Sequence, residues 1–257
     1  MKKGLICLLA VCLLFAIIFT GCKGRRDARA GDQVVYEIVT DTAFAPFTFE
    51  NAQGQRTGID MDILAAVAAD QGFAYTVAPV GFHAALAAVE AGQADGVIAG
   101  MSITEPRKLV FDFSDPYFDS GVVMAIRADN MTIRGYSDLR GLVVAVKTGT
   151  EGSRFAESIQ AQNGFELVYF DESPFMYEAV RAGHAAACFE DYPVMGYGIS
   201  QGNGLKTVTA MVRGSSYGFA VRKDQNQDLH RMFNQGLANI RANGIYQQIL
   251  DRYISAE

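Results

Sequence analysis

Between Ala99 and Arg107 the chain reads Ala-Gly-Met-Ser-Ile-Thr-Glu-Pro-Arg. A strand-like run ends there and delivers backbone amides, the Ser102 hydroxyl and the Arg107 guanidinium in quick succession. That chemistry suits a carboxylate: a guanidinium meets it bidentately, a hydroxyl adds a donor, and Gly100 has no Cβ to keep a ligand away from the backbone. Taken alone, the segment reads first as an ordinary surface arginine, so the case rests on what converges with it. Other segments carry complementary groups. Asp41 stands beside Phe44 and Phe47, a polar handle with apolar walls or a capped loop over core phenylalanines. Phe82, after Val80-Gly81, suits a core position or a pocket wall. Lys147 heads a Gly-Thr loop and a helix start, offering an ammonium and free amides to an anionic or carbonyl group, or is a plain surface lysine. Glu190-Asp191 closes an apolar strand before Pro193, so one carboxylate could receive an ammonium, with an acidic turn as the alternative.

Enzyme chemistry finds less support. His83, His184 and His230 stand far apart without cysteine or carboxylate neighbours at ligand spacing, so no metal site is expected. There is no Gly-x-Ser-x-Gly elbow, and the Lys147 loop lacks the order of a nucleotide P-loop. Cys188 in an apolar strand reads as buried and inert. Arg107 and Lys147 would hold Asp41 and Asp191 ionised rather than split them into an acid and a base. A net charge of −6 with scattered basic residues argues against nucleic acid, and no cofactor is expected.

The elements that position these residues follow from periodicity. Val34–Thr40 reads as a strand, Ile59 to Ala68 as a helix, Tyr75–Ala78 as a strand, His83 to Ala91 as a helix stopped by Gly92, and Asp95–Ala99 as a strand. That alternation predicts a parallel α/β sheet with functional residues at the carboxyl ends of its strands. The grammar recurs: strand Leu142–Val146, a helix after the Lys147 loop, strand Leu167–Phe170, a helix with Ser173 as N-cap and Pro174 behind it, Gly183, and a strand from Ala185. Val89 to Ala94 and Val180 to Ala185 carry the same helix-stop-strand unit, which predicts two lobes. The extended segments around Asp115–Met124 and Ser216–Val221 are the natural crossings, and two crossings make a hinge. Leu229, Phe233, Leu237 and Ile240 predict a last helix on the first lobe. The boundaries read as 34–118 with 217–257 for lobe 1 and 119–216 for lobe 2.

The N-terminus reads as an export signal: Met1-Lys2-Lys3, an apolar stretch of about 18 residues, then Phe19-Thr20-Gly21-Cys22 and a basic segment. Small residues before a cysteine resemble the lipobox of bacterial lipoproteins, with Phe19 where Leu is usual. Cleavage before Cys22 would leave a lipidated cysteine, a flexible tether over 23–33 and a body of roughly 235 residues, with only Cys22 and Cys188 remaining. The protein is then stabilised by its core and exported, facing the periplasm or cell exterior while anchored through Cys22.

Thr40 to Phe47, Gly58 to Leu64, Gly100 to Arg107, Phe111 to Tyr117 and Val144 to Thr150, taken together, resemble the family 3 solute-binding proteins of polar amino acid ABC importers, closest to the glutamine binders. The resemblance implies a type II periplasmic-binding-protein fold, two α/β lobes joined by two hinge strands that close on one amino acid and present it to ABC permease subunits. It implies that Arg107 binds the α-carboxylate with Ser102 and amides near Thr150 and Glu151. Asp191 with Gly100 and Ser102 binds the α-ammonium, and Phe44 and Phe82 sandwich the stem. Asp41 and Lys147 then address the head group, which suits a neutral amide, its NH₂ donating to Asp41 and its C=O accepting from Lys147. Glu190 is the main departure, since enteric glutamine binders carry histidine there. The expected ligand is glutamine, with glutamate, asparagine and histidine behind it; a sensor partner or a dehydratase-like enzyme is the alternative on this fold. The chain ends at Glu257 without a signalling segment, which disfavours a self-contained sensor.

Overall fold

The computed structural model describes residues 34–254; the expected export signal, the expected lipidation site Cys22 and the expected tether lie outside the described residues. The first part of the chain forms β1 (Val35–Thr40), the short pair β2 (Phe49–Glu50) and β3 (Arg56–Thr57), α1 (Ile59–Gln71), β4 (Ala74–Pro79), α2 (Phe82–Glu90), β5 (Gly96–Val97), the single turn α3 (Glu105–Lys108) and β6 (Phe111–Phe113). A second sheet opens with β7 (Phe118–Arg127) and continues through β8 (Val143–Lys147), α4 (Glu151–Asn163), β9 (Glu166–Phe170), α5 (Ser173–Arg181), β10 (Ala187–Asp191), α6 (Tyr192–Ser200), β11 (Leu205–Thr207) and β12 (Val212–Tyr217). The chain then returns with β13 (Ala220–Arg222), α7 (Gln227–Ala242) and α8 (Ile245–Tyr253).

The first sheet has the order β4-β1-β5-β13-β6 and the second β11-β7-β10-β8-β9, with β12 also on β7. Alternation along the strands supplies a core on both faces of each sheet. Ile38 of β1 faces α1 and α7 with Ile63, Leu64, Phe233 and Leu237, whereas its neighbour Val39 faces α2 with Ala85 and Val89. In the second sheet Val146 and Phe189 face Phe155 and Ala156 of α4, and Ala145 and Cys188 face Met176 and Val180 of α5. The two sheets thus make two α/β lobes. Phe118 and Tyr217, the terminal residues of β7 and β12, pair in antiparallel register, so the two passages between lobes run side by side.

The expected parallel sheet is found as a mixed one. β1 is parallel to β4 and β5, but β13 runs antiparallel to β5 and β6, and β7 antiparallel to β10. Strands that enter or leave a lobe without a crossover helix run against those that have one. β5 is also shorter than expected, because the chain bends at Ala99 and Gly100, although the Ile98 N–H still reaches the Val39 carbonyl at 3.2 Å. Phe82 opens α2. The N-cap of α5 is Glu172; Ser173 is already helical and its hydroxyl turns elsewhere. Among the described residues no helix is long and apolar enough to cross a membrane.

Candidate functional site

Every group in the cleft comes from the carboxyl end of a strand or from the loop or helix start that follows. Lobe 1 contributes Asp41 just after β1, Phe44 from the loop that folds back through Phe44 N–H to the Thr48 carbonyl at 2.7 Å, and Phe82 at the start of α2. Gly100 and Ser102 follow β5, and Arg107 sits on α3, whose first turn Thr104 caps through the Arg107 N–H. Lobe 2 contributes Lys147 at the end of β8 and Asp191 at the end of β10. Between them Thr150 caps α4, its hydroxyl accepting from the Ser153 N–H at 3.2 Å, and Glu151 is the first helical residue. These ten residues and Ala99 line one small cavity, drawn nearly shut between the lobes. Gly100 is required: at φ +54° its Cβ would lie 2.4 Å from the Phe44 ring.

The two lobes meet through polar contacts. Lys147 Nζ and Asp41 Oδ2 form an ion pair with both side chains 1% exposed. Arg107 Nη2 donates to the Gly149 carbonyl at 3.1 Å and Thr42 Oγ1 to Glu172 at 3.1 Å, so the cleft is closed. Each aromatic wall faces a cation: Lys147 Nζ is 5.0 Å from the Phe44 ring centroid and Arg107 Cζ 5.2 Å from that of Phe82. Arg107 also donates from Nη1 to the Ser102 carbonyl at 2.8 Å, while its Nε is buried without a partner. Burial, followed by the nearby Arg154, lowers its pKa to about 10, which leaves it cationic at neutral pH. The Ser102 hydroxyl accepts from Ser215 Oγ at 3.3 Å.

Asp191 Oδ2 accepts the Tyr217 phenol at 2.6 Å, and Tyr217 in turn accepts Ser120 Oγ at 3.0 Å. Burial and then the charge of Glu190 push the Asp191 carboxyl up to about 7. Glu190 itself is not brought to the cavity with the others. Its Oε2 accepts Ser173 Oγ and Tyr177 OH, both at 2.7 Å, and its Oε1 accepts the Asp191 N–H at 2.9 Å. Consecutive residues of a strand face opposite sides, so Asp191 looks into the cleft and Glu190, like Cys188, looks toward α5. That alternation was available in the sequence and corrects the placement of Glu190.

Four contributors were not singled out from sequence. Asp60 is fully buried behind the cavity, accepting the Gly100 N–H at 2.7 Å and the Tyr117 phenol at 2.8 Å, and burial pushes it up to about 7. Tyr117, Tyr217 and Ser120 lie on or beside the passages between lobes. A carboxylate on a face otherwise filled by Ile59, Ile63 and Val67 is the signal that could have marked Asp60. Among the described residues no group of three or more His, Cys, Asp or Glu side chains is placed to hold a metal ion. The arrangement can hold a zwitterion, with a buried guanidinium for the carboxylate, a buried carboxylate for the ammonium, aromatic rings for the stem and an ion pair at the far end.

Relatives describe this architecture. A probable histidine-binding protein of Neisseria gonorrhoeae is 27% identical over 100% of this chain and 97% of its own length. The second substrate-binding domain of Lactococcus lactis GlnP, in an open conformation, is 40% identical over 87% of this chain and 96% of its own, with a TM-score of 0.61. An ancestral arginine-binding protein bound to glutamine is 30% identical over 88% of this chain and 100% of its own, with a TM-score of 0.80. The nearer sequence in an open form superposes less well than the more distant ligand-bound one, as a rotation between lobes produces. The model of the bacterial extracellular solute-binding proteins, family 3, matches residues 36–256, and the chain belongs to that family.

Proposed function

We propose that this protein is the lipid-anchored, extracellular binding component of an ABC importer and that its ligand is L-glutamine. The observation that carries the reading is the pairing of Asp41 from one lobe with Lys147 from the other, both buried, at a cavity that also holds Arg107 and Asp191. Arg107 takes the α-carboxylate, its unpartnered Nε–H supplying a donor, with the Ser102 hydroxyl and the amides around Thr150 and Glu151. Asp191 takes the ammonium with Gly100 and Ser102. Phe44 and Phe82 flank the stem. A terminal amide can then insert between Asp41 and Lys147, donating from nitrogen to one and accepting at oxygen from the other. An arginine or lysine side chain meets Lys147 as a like charge. Relatives named for histidine, arginine and cystine show that this fold accommodates several head groups, so the residues at the head-group end carry the selection. The ligand touches both lobes only when they are together, and that differential contact drives closure.

A panel of common amino acids against refolded protein starting after Cys22, read by thermal unfolding, tests the reading. Glutamine at about 1,000 times its Kd stabilises by about 4 kcal/mol, and a melting shift on the order of ten degrees is expected with glutamine and not with arginine. A larger shift with arginine overturns the head-group assignment. The anchor is tested by palmitate labelling of the full chain, which Cys22→Ser should abolish.

A further inference from the structure

Glu190 is 2% exposed and accepts three hydrogen bonds, all from neutral donors: Ser173, Tyr177 and the Asp191 backbone. Converging neutral donors solvate an anion without cancelling its charge. No Lys, Arg or His among the described residues pairs with it. Most other charges around the cleft balance. Asp41 pairs with Lys147, and Glu151 with Arg154 at 2.6 Å. Arg107 and Asp191 match the two ends of a zwitterion. Two buried carboxylates are left with neutral donors alone: Asp60 behind the lobe 1 wall, held by the Gly100 N–H and the Tyr117 phenol, and Glu190, one residue from the ammonium site. We propose that Glu190 is a specificity-determining residue, a fixed negative charge outside the ligand contacts that favours a neutral head group over an anionic one and so separates glutamine from glutamate. The inference rests on the glutamine reading above.

Inside a closed, poorly hydrated cleft such a charge acts on the whole ligand. A zwitterion with an amide head adds no net charge to this surplus, whereas a second carboxylate adds repulsion that Lys147, already neutralised by Asp41, does not offset. The same charge acts on Asp191. The groups that face this acidic pair are Tyr177 from α5, Cys188 on β10 itself, Tyr217 from β12, Arg107 from α3 and Glu151 from α4. Only Arg107 among them is cationic. Removing the Glu190 charge therefore lets the Asp191 carboxyl fall from about 7 toward its ordinary range.

Titration calorimetry with glutamine and glutamate from pH 5 to 8, on wild type and Glu190→Gln, tests the proposal. Wild type should prefer glutamine, and Glu190→Gln should narrow the glutamine-to-glutamate ratio by about tenfold or more, the effect of one buried charge. The pH at which binding fails on acidification should also move down. Tyr177→Phe, which removes a donor but no charge, should leave the ratio where it was. An unchanged ratio and pH midpoint in Glu190→Gln, or equal binding of the two ligands by wild type, overturns the proposal while the glutamine reading stands. A wild type that binds neither overturns both. Should Glu190→Gln fail to fold, a Tyr177→Phe ratio that collapses toward one overturns the proposal by itself.

Discussion

Asp60 and Asp191 are two versions of the same arrangement. Each is a buried aspartate pushed up to about 7 mainly by burial, and each accepts the phenol of a buried tyrosine beside an inter-lobe passage, Tyr117 for one and Tyr217 for the other. They differ in what faces the remaining carboxylate surface. Asp60 is closed off by the Gly100 N–H and lies behind the cavity wall, whereas Asp191 opens on the cavity opposite Arg107 with Glu190 at its back. A buried carboxylate whose donors come from its own chain is a structural post. One left short of donors on its cavity side is, in the proposed reading, a socket for a ligand cation.

The largest effect expected is on binding. Asp191→Asn should weaken glutamine by about 100-fold in calorimetry, since losing one partner of a buried charge pair costs about 2–5 kcal/mol, while apo stability holds or rises. Asp60→Ala should do the opposite. Stranding the Gly100 N–H and the Tyr117 hydroxyl should cost about 2–3 kcal/mol in urea unfolding, with a smaller loss of affinity through the displaced Gly100 turn. Next comes pH. Both carboxyls hold a proton more tightly folded than unfolded, so unfolding between about pH 4 and 7 releases protons and stability falls as pH rises through that window. The apo melting temperature should therefore be several degrees higher at pH 5 than at pH 8. Asp60→Asn should remove part of that slope, and saturating glutamine should reduce the Asp191 part. The smallest effects separate the tyrosines. Tyr117→Phe should lower stability by about 1 kcal/mol with little change in affinity, and Tyr217→Phe should show up chiefly in the affinity. If both tyrosine variants behave alike, the distinction between post and socket fails.

The alternation of strands and helices, the repeated helix-stop-strand unit and the polar residues at strand ends were legible because each is local. Asp41, Lys147 and Asp191 could be singled out as charged residues at the tips of apolar runs. Asp60 shows only as a carboxylate on an apolar helix face; its role stays hidden, since its partners Gly100 and Tyr117 lie 40 and 57 residues away. The short β5 and the antiparallel β13 were likewise hidden, because both depend on how the returning chain meets the first sheet. Glu190 was misplaced for a different reason: its proximity to Asp191 in sequence outweighed the alternation that sends the two to opposite faces. Whether Asp41 and Lys147 would touch each other was also beyond reach, since the contact exists only across the closed lobes.

That contact bears on time as well as on selection. Beside it, with Arg107 on Gly149 and Thr42 on Glu172, the shut molecule is held by links that do not pass through a ligand. An enclosed molecule leaves no faster than those links part. The slowest escape step then belongs to the protein, and ligands of quite different fit share one upper limit on their rate of departure.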